Sequence, residues 1–182
     1  MRVVVLDPGV LLNAVAGEFL HQLRSPDLRF VIPQTQTLEL TLWSEELPIH
    51  RNADTLVASG LIDVTPLKGE AEMQLLIDYA ALAEESEAAA AALAHSRDWV
   101  LATDEIKLER QFLRKSGEKG QTVSTLRLLK DWSQVVAATA PQMSEVLRRL
   151  QSLALFSPLR SAIEYDWWLS QCKLSGIPQR GQ

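Results

Sequence analysis

Residues 3–17 read VVVLDPGVLLNAVAG. Val3 to Leu6 are four consecutive apolar residues without polar alternation, the pattern of a strand covered on both faces in a parallel sheet. Asp7 closes the run and Pro8-Gly9 turns the chain. Leu11, Leu12, Val15, Phe19, Leu20 and Leu23 then recur at helical spacing. A buried strand, a carboxylate at its carboxyl end and a helix doubling back set the frame for the rest of the chain.

The same alternation continues. Residues 28–32 predict a second strand stopped by Pro33, followed by a helix that carries Leu38, Leu42 and Trp43 and ends near Pro48. Residues 51–59 predict a helix capped by Gly60, since glycine tolerates the left-handed conformation needed there. A brief strand over 61–64, helices over 69–82 and 85–95, and a strand over 99–103 come next. A charged helix over 105–115 precedes a very short strand near Thr122-Val123. Ser124 or Thr125 is placed to cap the helix holding Leu126, Leu128, Leu129 and Trp132. After Pro141 only helices are expected, over 143–155 and 161–174, parted by Ser157-Pro158. Strands alternating with helices imply crossover connections and an α/β fold around a mostly parallel sheet.

Composition narrows the classes. The chain has 182 residues, enough for one sizeable domain with an added helical tail. No apolar stretch approaches the roughly 18 residues that span a bilayer. Asp7, Pro8 and Gly9 interrupt any secretory pattern, so no membrane association is expected. Cys172 is the single cysteine. It excludes an internal disulfide and a thiolate zinc cluster, and makes a reducing cytoplasm the expected location. His21, His50 and His95 lie far apart with no metal-ligand spacing. Residues 1–104 hold 6 basic and 16 acidic groups, and residues 105–182 hold 12 and 7. An acidic half gathers cations and a basic half attracts phosphate, unless the difference is only that of solvated helix faces.

Acids stand at the element junctions. Asp7 ends the first strand, Glu39 sits among leucines after the second, Glu87 opens an alanine-rich helix, and Asp104 ends the strand before the charged helix. Each has a plainer reading: a helix cap for Asp7 and Asp104, solvent exposure for Glu39, and a favourable helix-dipole position for Glu84, Glu85 and Glu87. Glu85 and Glu87 point to nearly opposite sides, so at most one faces a given site. Ala88 to Ala92 let that helix approach the sheet closely. Together, acids at three junctions of one open sheet converge at its carboxyl edge, where such folds bind ligands. Oxygen donors of this kind suit Mg²⁺ or Mn²⁺.

In this order the segments resemble the PIN domain family of metal-dependent ribonucleases. VVVLDPGVLLNAVAG (3–17) is similar to its strand, aspartate and helix, and FVIPQTQTLELTLW (30–43) to its second strand, proline and helical glutamate. LAEESEAAAAALAHSRDWVLATDEIKLER (82–110) resembles its acid-rich helix start, alanine helix, strand and Thr-acid-acid turn. QTVSTLRLLKDW (121–132) looks like its last strand and following helix. The likeness covers residues 1–136. A helical extension over 137–182, with PLRSAIEYDWWLSQ (158–171), resembles tails of some members. The resemblance implies a three-layer α/β/α sandwich, cleavage of single-stranded RNA and use as the toxin of a toxin–antitoxin pair. It implies Asp7, Glu39, Glu87 and Asp104 as catalytic, metal-binding acids. The family's usual turn has two aspartates where this chain has Asp104-Glu105, so Glu105 shares or replaces Asp104's role, and Glu85 rivals Glu87.

The chemistry expected is hydrolysis of an RNA phosphodiester, with carboxylates holding one or two cations. Thr103 is a candidate to orient a carboxylate or water. Asn13 is read either as a polar helper or as a solvated helix-surface residue. Lys107, Arg110 and Arg114 share one side of the charged helix and are expected to hold RNA phosphates, or simply to face solvent. Tyr165, Trp167 and Trp168 are expected to pack the tail or form a homodimer, with base stacking as the other reading. Partners expected are RNA, an antitoxin protein and a second copy of the chain. The alternative is a catalytically weak or inactive PIN-like binding module. A phosphorylatable receiver domain is disfavoured: Leu6-Asp7-Pro8 lacks paired acids, and no lysine follows Thr122-Val123.

Overall fold

The computed structural model describes residues 1–36 and 55–177. Glu39, His50 and the helix expected around Leu38, Leu42 and Trp43 lie outside the described residues. The five strands are β1 (Arg2–Leu6), β2 (Leu28–Pro33), β3 (Ile62–Thr65), β4 (Val100–Ala102) and β5 (Thr122–Val123). They form one sheet in the order β3-β2-β1-β4-β5, and every pairing is parallel. Among the described residues the helices used below are α1 (Pro8–Gly17), α2 (Leu20–Leu23), α3 (Gly69–Ala80), α4 (Glu85–Ser96), α5 (Ile106–Ser116), α6 (Thr125–Val135), α7 (Ala140–Leu153) and α8 (Tyr165–Leu174). The α/β fold is therefore present, with helices on both sides of the sheet as in a three-layer sandwich.

The unbroken apolar run of β1 has a direct explanation in the packing. Val4, Leu6, Phe30, Ile32, Val100, Ala102 and Val123 enter one core, which α1, α2, α6, α7 and α8 complete. Val3, Val5, Val31 and Leu101 enter the opposite core, closed by α4, Leu108 and Phe112 of α5, and Tyr79 of α3. Alternate residues thus face alternate cores and both must be apolar. Ala88 to Ala92 are fully buried, and α4 lies on β1, β2 and β4. The helix itself contributes nothing longer than a methyl over that stretch, so the valines and Leu101 of the sheet fill the space between.

Three departures from the sequence reading have physical causes. The apolar repeat after Asp7 is split into α1 and α2, because Glu18 takes a left-handed φ of 54° and ends α1. At Gly17 a Cβ would stand 2.6 Å from the Phe19 ring and 3.3 Å from Val146 of α7, so glycine permits the close turn. Arg149 of α7 donates to the Ala16 carbonyl at 2.7 Å and pairs with Glu18, fixing that end of α1. Pro33 belongs to β2, pairing with Thr65 at the strand's last position. The final helix starts at Tyr165 instead of Ser161, since two turns, closed by the Ala162 N–H on the Leu159 carbonyl and the Tyr165 N–H on the Ala162 carbonyl, lead into it.

The tail helices share the first core: Met143, Leu147, Leu150, Trp168 and Cys172 are buried with α1 and α6. Trp168 meets Phe156 edge to face at 5.6 Å. Cys172 has no disulfide partner, and burial pushes its thiol up to about 11. No helix among the described residues is long and apolar enough to cross a membrane.

Candidate active site at the carboxyl edge of the sheet

The strand order places a switch point between β1 and β4. From β1 the chain moves outward to β2 and β3, with α1 on one face. It returns through α3 and α4 on the other face to β4 and then to β5. At such a junction the connections diverge to opposite faces and leave a crevice beyond the strand ends. Asp7 follows β1, Thr103 and Asp104 follow β4, and Ser124 and Thr125 follow β5.

Asp7 is 3% exposed. It caps α1: the Val10 N–H donates to Oδ1 at 2.7 Å, and Pro8 occupies the first turn, where no N–H is needed. Burial pushes its carboxyl up to about 7. A hydrogen bond from Thr103 and the Val10 bond oppose that rise, and the nearby charges of Asp104 and Glu87 add to it. A capping bond alone does not offset the loss of water around this group.

Asp104 is partly buried and held from three directions. Oδ1 accepts from the Thr125 N–H at 2.9 Å. Oδ2 accepts from the Thr125 hydroxyl at 2.5 Å and from the Asn13 amide at 3.2 Å. Asn13 also donates to the Thr125 hydroxyl at 3.0 Å. Burial raises the Asp104 carboxyl, these bonds lower it, and Glu109 raises it further; the net shift is upward. This clasp joins β4 to α1 and α6. Asn13 is consequently buried, against its reading as a solvated surface residue.

Of the other expected residues, Glu87 is the one whose charge acts on Asp7. It also accepts from the Glu84 N–H at 3.3 Å, as a helix-start cap. Its rival Glu85 is exposed. Glu105 is exposed too: it caps α5 by accepting from the Lys107 N–H at 3.3 Å, and its own N–H donates to the Thr103 hydroxyl at 3.1 Å. Thr103 therefore braces Asp7 and the turn at once. Lys107, Arg110 and Arg114 are all exposed on α5.

A groove of about 680 Å³ opens beside Asp104. Asn13, Thr103, Asp104 and Arg110 line it, together with Glu109, Arg127 and the stretch from Ala154 to Glu164. Lys107 and Arg114 are outside that lining. Sequence reasoning passed over four of these participants. The sequence offers Thr125 only as a cap and Glu164 only as part of the tail, and gives Arg127 and Glu109 no role. Thr125 carried one usable signal, its position just beyond the last strand. Glu164 carried none.

Among the described residues no three His, Cys, Asp or Glu side chains form a group able to hold a metal ion. Asp104, Thr103 and Asn13 line the groove and Asp7 does not; the charge of Asp104 acts on Asp7, and oxygen donors of this kind are those a hard divalent cation takes. Of the four expected ligands, Asp7, Glu87 and Asp104 are electrostatically coupled through Asp7, and Glu39 lies outside the described residues. Against models of protein families, curated proteins and solved structures, the chain shows no match.

Proposed function

We propose that the chain is a Mg²⁺- or Mn²⁺-dependent ribonuclease that hydrolyses phosphodiesters of single-stranded RNA at the β1/β4 crevice. One observation carries the reading. Asp7 is buried at a strand end with its carboxyl pushed up to about 7, and among the described residues the charges that act on it are those of two further acids, Asp104 and Glu87. A carboxylate in that setting is costly unless a cation neutralises it. The resemblance of the segments to the PIN family supplies the choice of RNA. It also suggests the toxin role, an antitoxin protein partner, a second copy of the chain and a cytoplasmic setting.

Asp7 and Asp104, with Glu87 beside them, would hold the ion. A divalent cation bound there supplies charge neutralisation on the phosphate and lowers the pKa of attacking water. The chain's own residues do the positioning. Thr125 and Asn13 fix Asp104 from three directions, and Thr103 and the α1 N-terminus fix Asp7. Arg110 lines the groove, and its guanidinium would pair with a phosphate oxygen there.

A second reading, a binding module without catalysis, is favoured by the clasp itself. Three donors on Asp104 and a cap on Asp7 form a complete structural network that needs no ion. Calorimetric titration with Mn²⁺ and a cleavage assay of wild type beside Asp7→Asn separate the two. Metal binding with cleavage lost in Asp7→Asn is expected. Equal cleavage by both proteins, or none by wild type in Mn²⁺, removes the enzyme reading.

A further inference from the structure

A second cavity, of about 390 Å³, opens where β1 and β2 begin, at the opposite ends of those strands from Asp7 and its crevice. The α2–β2 connection and the later turns of α6 wall it in, and Val4, Leu23, Leu28 and Leu128 give it an apolar lining. Arg2 and Arg24 line it too, and the backbone explains how they meet. Arg24 leaves α2 in an extended conformation. The next turn, closed by the Leu28 N–H on the Ser25 carbonyl at 3.1 Å, starts β2. Leu28 then pairs with Arg2 in the sheet. Among the described residues neither arginine forms an ion pair. The acid of the lining, Asp131, is already bonded to Arg127 at 2.9 Å. Two cations sharing one cavity repel each other, and an anion between them removes that cost. Gln22 adds a neutral donor: its Oε1 accepts from the Trp132 indole at 3.1 Å, which fixes the side chain, while its amide nitrogen donates to nothing among the described residues.

We propose that this cavity binds a small anionic amphiphile, with its carboxylate between Arg2 and Arg24 and its apolar body against Val4, Leu23, Leu28 and Leu128. Three features select that occupant. The volume falls within the roughly 300–1,000 Å³ of pockets that take small molecules. Guanidinium forks match a carboxylate through paired hydrogen bonds. The apolar lining offers no partner to a second charge, so a polyanion would press unpaired charges against it at a cost that a single headgroup avoids.

The test is isothermal titration calorimetry of the full chain with decanoate below its micelle-forming concentration, beside decanol and inorganic phosphate. Decanoate is expected to bind. Decanol lacks the charge and phosphate lacks the chain, so each is expected to bind at least about tenfold more weakly. Arg24→Gln is expected to weaken decanoate binding about tenfold, the loss of one charge-assisted hydrogen bond. Val135 also lines the cavity and is 66% exposed, so Val135→Asp is expected to weaken binding with the melting temperature unchanged. Arg160 is exposed and lines neither cavity, and Arg160→Gln is expected to bind decanoate as wild type does. No binding of decanoate by wild type, equal binding of decanol or phosphate, or unchanged affinity in Arg24→Gln or Val135→Asp overturns the site. An equal loss in Arg160→Gln also overturns it, since the attraction would then belong to the whole surface.

Discussion

Replacing Asp7 by Asn tests the electrostatics of the crevice directly. The substitution keeps the shape, and the amide oxygen can still accept from the Val10 N–H, so the α1 cap survives. It removes the ionisation and turns one acceptor oxygen into an amide donor beside Thr103. The carboxyl rises from 3.8 to about 7 on folding, so the folded protein holds this proton more tightly than the unfolded chain does. The stability linked to it is complete below about pH 4 and is lost as pH rises through 7. About three pKa units at 1.36 kcal/mol each give an upper bound of about 4 kcal/mol. Asp7→Asn escapes that loss. In EDTA its stability should match wild type at acidic pH and exceed it at pH 8 by up to that amount. Urea unfolding followed by tryptophan fluorescence at several pH values measures the difference, which cancels the other titrating groups. Adding Mn²⁺ at pH 8 should close the gap by stabilising wild type alone, by about 2.7 kcal/mol at a hundredfold excess over the dissociation constant. A difference that does not vary with pH, or a variant less stable than wild type at pH 8, would refute the reasoning.

Other substitutions probe separate links. Thr125→Val removes the hydroxyl donor to Asp104 while keeping the peptide donor; chemical unfolding should show a loss of about 1–3 kcal/mol. Glu87→Gln should lower the pH at which Asp7 titrates, seen as a downward shift in the pH dependence of stability, because Glu87 raises the Asp7 carboxyl; Glu85→Gln should leave that dependence in place. Ala91→Leu forces a larger side chain into the fully buried core beneath α4 and should destabilise by about 1–3 kcal/mol in thermal melts. Arg149→Ala orphans the Ala16 carbonyl at the end of α1 and should cost about 1 kcal/mol. Most of that loss should persist in high salt, since the exposed Glu18 partner contributes little.

The parts of the fold that were legible in the sequence are those set by neighbours along the chain. The run Val3–Leu6 announced a strand with two covered faces, the alanines of α4 a helix laid on a sheet, and Gly60 a left-handed stop, found at φ 70°. What was not legible depends on distant residues. The break at Glu18 answers to Val146 and Arg149 of α7. A glutamate in a left-handed conformation carries no local mark as a glycine does. Asn13 looked like one polar face of an amphipathic helix until Asp104 and Thr125, 91 and 112 positions later, met it.

The candidate site shows why the sequence left its central ambiguity standing. Asp7, Glu87 and Glu105 each act as a helix-start cap, so the capping reading and the ligand reading describe the same residues in the same places. Both roles use a carboxylate aimed at the N-terminal end of a helix, and a one-dimensional pattern has no way to separate them. Burial separates the residues themselves. Glu105 caps from solvent, where its charge is hydrated at little cost, whereas Asp7 caps from inside the protein with its carboxyl raised to about 7. A cap alone does not require that burial, and a neutral asparagine would provide the same hydrogen bond. The pH-dependent contrast between Asp7 and Asn at this one position measures how much stability the buried acid costs.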